Sequence, residues 1–120
     1  MVIRERANVE LIRVIDGDTI LVRYTCPACR ISFEKRVRLA EIDAAELDGP
    51  ERGQALLARE QLAGLLTGRN IWIVPFRRGE DCYGRIRARV FTDEGDVSRL
   101  MIDRFKTPLY KPLQGSKLIV

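Results

Sequence analysis

The sequence predicts an α+β domain that is mainly β. Five short runs have the composition of strands, and three of them alternate apolar and polar residues, the period of two that is typical of a half-buried strand. Two further stretches carry apolar residues at helical spacing. Their order is three strands, a helix, two strands and a helix. This is the order of a five-stranded OB-fold barrel with a helix between strands 3 and 4 and a C-terminal helix. A small α+β sandwich would give much the same pattern.

The first three strands are predicted at residues 9–14, 20–25 and 31–40. The first ends at the turn Asp16-Gly17-Asp18. In the third, the period of two places Arg36 and Arg38 on the face opposite Val37 and Leu39. A loop rich in carboxylates follows this strand.

The second half of the pattern begins with a helix over residues 51–67, which Gly68 should end. Strands are predicted at residues 70–76 and 85–90, with a turn at 77–81 between them. Asp96 is a suitable N-cap for the last helix. The apolar face of that helix is predicted to hold Val97, Leu100, Met101 and Phe105.

Composition indicates one folded domain over residues 1–120, because 120 residues with 46% hydrophobic side chains can bury a core. No apolar run approaches the roughly 18 residues of a membrane helix. Residues 1–6 are charged and unlike a secretory signal, so a cytoplasmic monomer without membrane association is expected unless a leader was removed. Residues 61–120 hold 11 basic and 6 acidic side chains, which makes a polyanionic partner plausible.

Histidine is absent, which excludes histidine-dependent triads and histidine zinc sites. Acid–base chemistry must then come from carboxylates, Tyr, Lys or Cys. The three cysteines include the pair Cys26 and Cys29 in a Cys-Pro-Ala-Cys segment between two predicted strands. The pair is predicted to be a hairpin tip that is reduced or disulfide-bonded. The alternatives are a metal half-site shared between two chains and a thiol-based interaction protein.

Three short motifs concentrate charge at strand ends and turns. They are Asp16-Gly17-Asp18-Thr19, Arg38-Leu39 with Ile42-Asp43-Ala44-Ala45-Glu46, and Asp81-Cys82-Tyr83-Gly84-Arg85. Each alone is commonplace, but the ordered set, from about Val9 to Pro112, resembles the staphylococcal nuclease (thermonuclease) family. The resemblance implies an OB-fold hydrolase of ester bonds. Its implied activity is calcium-dependent endonucleolytic cleavage of DNA and RNA that leaves 3′-phosphates.

The resemblance also implies roles for individual residues. Asp18, Asp43 and the carbonyl oxygen of Ala44 would bind Ca²⁺, and hard oxygen ligands suit that ion. Asp16 would orient water on the metal. Arg38 and Arg85 would grip the phosphate, Glu46 would be the general base, and Tyr83 and Tyr110 would line the nucleotide pocket.

The sequence departs from the family pattern at several positions. Ala45 replaces a usual Pro, Cys82 a usual Lys or Arg, and Arg87 a usual apolar residue. The cysteine hairpin is also absent from the pattern. A catalytically silent OB-fold module that binds nucleic acid remains the alternative, since OB folds bind oligonucleotides without cutting them. The choice between DNA and RNA is open.

Overall fold

A computed structural model describes residues 5–47, 49–80 and 84–110, with backbone alone for residues 77–80. Five strands close into a barrel, two helices pack on it, and a two-residue strand extends one edge. In chain order these elements are β1 (Ala7–Asp16), β2 (Thr19–Thr25), β3 (Ser32–Leu39), α1 (Arg52–Leu66), β4 (Ile71–Glu80), β5 (Ile86–Thr92), β6 (Gly95–Asp96) and α2 (Val97–Phe105). The predicted fold class, a mainly β OB-fold-like barrel with a helix between strands 3 and 4 and a C-terminal helix, is confirmed.

The barrel closes through a parallel pairing of β3 with β5. The other neighbours follow the order β3-β2-β1-β4-β5-β6 and are antiparallel. In the closing pair, Val37 lies opposite Ile86 and Arg38 opposite Arg87. This pairing places the basic faces of β3 and β5 side by side, although 48 residues separate Arg38 from Ile86.

The core is made by the inward-facing positions of the strands and one face of each helix. Along β5 every second residue is buried, namely Ile86, Ala88, Val90 and Thr92. From the helices, Leu62 and Leu66 of α1 and Met101 of α2 are fully buried against the same cluster. Truncating such a residue to Ala typically costs about 2–5 kcal/mol, so the alternation seen in the sequence accounts for much of the fold's stability.

Several element boundaries differ from the predicted ones, and strand pairing explains two of these differences. β1 begins at Ala7 rather than Val9, because Ala7 pairs with Ile73 of β4. The predicted turn over residues 77–81 is wrong at its start, since β4 continues to Glu80, which pairs with Ile86 across an irregular stretch. Local composition favoured a turn there, but pairing with β5 decides the conformation. Asp81 lies outside the described residues.

The last helix begins as the sequence predicts. The side chain of Asp96 accepts a hydrogen bond of 3.0 Å from the backbone N–H of Ser98. Val97 and Met101 are buried, Leu100 is half-buried, and Phe105 is more exposed than its predicted place on the apolar face suggests. Neither helix in the described part of the chain is long and apolar enough to cross a membrane.

Candidate functional site

The turn between β1 and β2 packs closely against α1 and against the loop after β3, and a glycine in the turn makes this contact possible. The Oδ1 atom of Asp16 accepts the backbone N–H of Asp18 at 3.1 Å, which closes the turn locally. A Cβ atom at Gly17 would lie 2.6 Å from the Cβ of Ala58 and 2.7 Å from that of Ala44. Only glycine therefore lets α1 and the loop after β3 approach the turn this closely, and the approach positions Asp18.

Asp18 is a buried carboxylate that accepts hydrogen bonds from two neutral donors in the described part of the chain. Its Oδ1 accepts the Thr19 hydroxyl at 3.0 Å, and its Oδ2 accepts the backbone N–H of Ala44 at 2.9 Å. Burial raises the pKa of Asp18 to about 7, with a further upward contribution from Asp16. The nearby Arg38 guanidinium lowers this pKa but does not offset the burial. At this carboxylate the effect of burial on the pKa therefore exceeds the effect of the arginine.

Arg38 projects from the end of β3 and spans the loop that follows. Its Nη1 donates to the carbonyl oxygens of Leu39 and Ile42, at 2.7 and 2.8 Å. Its Nη2 lies 3.5 Å from Asp18 Oδ2 and 3.5 Å from Asp43 Oδ1. Four groups thus hold the guanidinium, which is largely buried and faces both candidate metal-binding carboxylates.

Arg85 is connected to the same turn through Thr19. Its Nη1 donates a long hydrogen bond of 3.4 Å to the Thr19 hydroxyl oxygen, and that hydroxyl in turn donates to Asp18. Sequence reasoning did not assign Thr19 a role, although Thr19 belongs to the first motif. Its hydroxyl can link an arginine to a carboxylate because it both donates and accepts.

The loop carrying Asp43 and Ala44 is held by the chain that follows α2. The backbone N–H of Asp43 donates to Pro108 at 2.9 Å, and that of Tyr110 donates to Glu41 at 2.7 Å. These bonds place the Tyr110 ring next to Arg38, whose Cζ lies 5.8 Å from the ring centroid. Tyr110 is half-exposed, so its ring remains accessible from solvent.

One open cleft of about 340 Å³ collects these side chains. Seven of the eight predicted site residues line it: Asp18, Arg38, Asp43, Ala44, Glu46, Arg85 and Tyr110. Tyr83 lies outside the described residues. Asp16 also lines the cleft, together with two residues to which sequence reasoning gave no role, Glu41 and Arg87. Arg87 reaches the cleft because β5 lies beside β3, a consequence of barrel closure.

The donor chemistry of the cleft fits a hard divalent cation. Asp16, Asp18 and Asp43 offer carboxylate oxygens, and a bound cation would oppose the effect of burial, which raises the pKa of Asp18. Within the described residues no group of three or more His, Cys, Asp or Glu side chains could hold a metal ion. Two side-chain ligands, as predicted, would therefore need backbone oxygen, water or phosphate to complete the coordination.

The fold and the cleft define a class, an OB-fold-like barrel with carboxylates and arginines facing one groove. No protein-family model matches the chain. Over 93 residues, 77% of the chain, it is 32% identical to a protein from Escherichia coli named "Uncharacterized endonuclease". A protein of the same name from Escherichia coli O157:H7 is 31% identical over 93 residues. The chain spans about half, 54%, of the length of each relative. This likeness supports a nuclease-like relationship in general, and not the thermonuclease family in particular.

Proposed function

We propose that the protein is a calcium-dependent endonuclease of the thermonuclease type that hydrolyses phosphodiester bonds of DNA, RNA or both. The observation that carries the proposal is the convergence of Asp18, Arg38, Asp43, Glu46 and Arg85 on one cleft. Sequence separations of up to 67 residues make this convergence a result of the fold rather than of local sequence. The similarity to proteins named endonuclease supports the same reaction class.

Arg38 and Arg85 would bind the scissile phosphate and stabilise the charge that grows on it during attack. A planar guanidinium matches two phosphate oxygens at once, which a lysine ammonium does not. The Arg38 fork is already oriented by two carbonyl oxygens, so little conformational freedom is lost on binding. Arg85 approaches from β5, on the other side of the Asp18 turn.

Asp18, Asp43 and the carbonyl oxygen of Ala44 would hold Ca²⁺ in this proposal. A bound divalent cation draws electron density from the phosphate and so lowers the barrier to attack. Asp18 is held in place by Thr19 and by the backbone of Ala44. Asp16 fixes the turn that carries Asp18, so it positions a ligand.

Glu46 would accept a proton from the attacking water, or orient that water. The side chain lines the cleft and is exposed, so water reaches it freely. As the water oxygen bonds to phosphorus, its proton passes to Glu46 and the bond from phosphorus to the 5′-oxygen breaks. The departing 5′-oxygen takes a proton, which leaves a 3′-phosphate on the other fragment. With no histidine in the chain, a carboxylate suits this task.

Tyr110 would line the nucleotide-binding part of the cleft. Its half-exposed ring lies beside Arg38, where a sugar or base attached to the bound phosphate could contact it. Tyr83 is proposed for the same pocket from the sequence alone. Both side chains offer a flat aromatic face, on which bases stack without regard to sequence.

The test is digestion of single-stranded DNA and of RNA by the purified full chain, with Ca²⁺ and with excess chelator. We expect cleavage with Ca²⁺, none with chelator, and 3′-phosphate ends. Tight binding of either polymer without cleavage in any metal would instead identify a silent binding module. Undiminished cleavage in chelator would refute the metal-dependent assignment.

A further inference from the structure

The loop between β2 and β3 carries the two cysteines at the tip of a rigid hairpin. The antiparallel ladder runs without interruption from Thr19 opposite Arg38 to Thr25 opposite Ser32. The hydroxyl oxygens of Thr25 and Ser32 lie 2.7 Å apart at the last pair. One pair earlier, the rings of Tyr24 and Phe33 meet edge to face at 5.4 Å. The base of the loop is therefore fixed by cross-strand contacts.

The loop itself folds back tightly around Cys26. The backbone N–H of Cys26 donates to Ile31 at 2.9 Å, and the N–H of Arg30 donates to the carbonyl of Cys26 at 2.8 Å. Arg30 has a φ of 61°, the left-handed conformation that reverses the chain after Cys29. This turn keeps the two cysteines on the same short loop.

Neither cysteine of the loop is fully buried, so both can be reached from solvent. Hydrogen bonds from the backbone and thiol of Cys29, then from the backbone of Ala28, lower the pKa of the Cys26 thiol. Such N–H donors stabilise a thiolate and remain compatible with a metal bound to the same sulfur. Cys29 is exposed, so the pair is reachable from outside the barrel.

A closed zinc site needs more ligands than one hairpin supplies. Structural zinc is bound by four Cys or His ligands. The chain has no histidine, and the described residues contain no group of three potential ligands. A second copy brings an identical pair, and a two-fold axis through the metal is compatible with the tetrahedral arrangement that Zn²⁺ prefers for four thiolates.

We propose that Cys26 and Cys29 form a thiolate half-site that binds Zn²⁺ together with the same pair from a second copy of the chain. The zinc-loaded protein is then a dimer joined at the hairpin tips, in contrast to the monomer expected from sequence. Four thiolates and Zn²⁺ leave two negative charges, and Arg30 follows Cys29 directly in each chain. Ile31, 61% exposed beside the pair, is covered by such a contact.

The experiment is zinc titration of the full chain in a phosphine reductant, followed by native mass spectrometry and by thermal unfolding. We expect one Zn²⁺ per two chains, a dimer that a chelator returns to monomer, and a charge-transfer band between sulfur and metal when Co²⁺ replaces Zn²⁺. Cys26→Ser and Cys29→Ser should each abolish the dimer and the band. Both should unfold at the temperature of the metal-free parent, because the tip is outside the core.

Cys82→Ser is the matched control, since it removes the third cysteine and leaves the pair intact. It should keep the zinc stoichiometry and the dimer. A dimer that resists chelator but not reductant, a single zinc in a monomer, or loss of zinc in Cys82→Ser would each overturn the proposal. So would the absence of zinc binding in the parent. None of these outcomes depends on nuclease activity.

Discussion

Two carboxylates of one short loop, Glu41 and Asp43, face opposite electrostatic environments. Glu41 bonds closely to Arg89 and lies 3.6 Å from Arg99, and Arg89 also bonds Asp96 at 2.8 Å. A hydrogen bond from Arg89 lowers the pKa of Glu41, and the same contact raises the pKa of Arg89. On the other side of the loop, burial raises the pKa of Asp18, with which Asp43 shares Arg38.

The two environments differ because the guanidinium groups of Arg89 and Arg38 donate their hydrogen bonds to different kinds of acceptor. The Arg89 guanidinium is directed at carboxylates, whereas the Nη1 of Arg38 is directed at two carbonyl oxygens. The carboxylates near Arg38 are left at 3.5 Å, beyond an ordinary hydrogen bond. The cluster of Glu41, Arg89 and Asp96 therefore stabilises the fold. In the cleft, burial instead raises the pKa of Asp18, and a perturbed pKa in a cleft is typical of a site that binds a cation or does chemistry.

The largest expected effect tests whether the arginines of the two regions differ in function. Arg85→Lys keeps the charge but loses the planar fork, so kcat/KM on single-stranded DNA at saturating Ca²⁺ should fall about 10²–10³-fold, as when one transition-state donor is lost. Arg89→Lys is the matched control in the ion-pair cluster and should change the rate by a small factor. Equal rates for the two variants would mean that Arg85 does not act on the phosphate.

Replacement of the candidate base should have an effect of comparable size. Glu46→Gln keeps the shape of the side chain but removes its basicity, and a positioned base is typically worth about 10²–10⁴ in rate. Calcium and nucleotide binding should remain, because Asp18, Asp43 and the arginines are unchanged, and the rising limb of the pH profile should flatten.

Glu60→Gln, on the exposed side of α1, is the control for Glu46→Gln and should leave the rate unaltered. Full turnover by the Glu46 variant, at saturating calcium and substrate, would show that another group activates the water.

The sequence was more informative about the cleft than about the ion-pair cluster. The alternation of β3 and β5 predicts that Arg38 and Arg87 leave the core. No local pattern shows that these strands pair, or that Thr19 links Arg85 to Asp18, because those contacts depend on barrel closure. Sequence motifs therefore identify the individual site residues, whereas the pairing of distant strands determines which of these residues are in contact.

The ion-pair cluster shows the same limit more plainly. Glu41 lies in a loop, Arg89 in β5 and Asp96 in β6, and no motif in the sequence predicts that these three side chains form ion pairs. The extension of β4 to Glu80 is a similar case, since its charged sequence favours a turn until β5 supplies hydrogen-bond partners. In both cases, the ion pairs and the extension of β4, the structure is decided by contacts with residues elsewhere in the fold and not by local conformational propensity.

A third prediction concerns stability in chelator. The folded protein binds a proton at Asp18 more tightly than the unfolded chain does, because the pKa rises from 3.8 to about 7. This group's contribution to stability therefore falls as pH rises between those values. Asp18→Asn removes the buried charge. The amide oxygen can still accept the hydrogen bond from the backbone N–H of Ala44, and the amide NH₂ can donate to the hydroxyl oxygen of Thr19. Above about pH 7 the metal-free variant should be more stable than the parent, on the order of 1–3 kcal/mol by urea unfolding.

At about pH 4 the advantage of Asp18→Asn should disappear, and added Ca²⁺ should stabilise the parent but not the variant. A parent protein with the same stability as the variant at both pH values would mean that Asp18 is already compensated. The cleft would then resemble the ion-pair cluster, and the contrast between the two regions would fail.

The smallest effect is expected on the other side of the loop, with the opposite sign. The pKa of Glu41 is lowered by Arg89, so its contribution is present above the unfolded pKa near 4.5 and is lost as pH falls through the folded value. Glu41→Gln should therefore destabilise the protein near neutrality by no more than about 1 kcal/mol, because the pair is partly exposed. In strong acid the variant and the parent should have the same free energy of unfolding.

Relative to the parent, the stabilities of the two variants therefore change with pH in opposite directions, since Asp18→Asn gains stability toward alkaline pH while Glu41→Gln loses it. If the two variants instead followed parallel curves in chelator, the charge balance assigned to the two sides of the loop would be wrong.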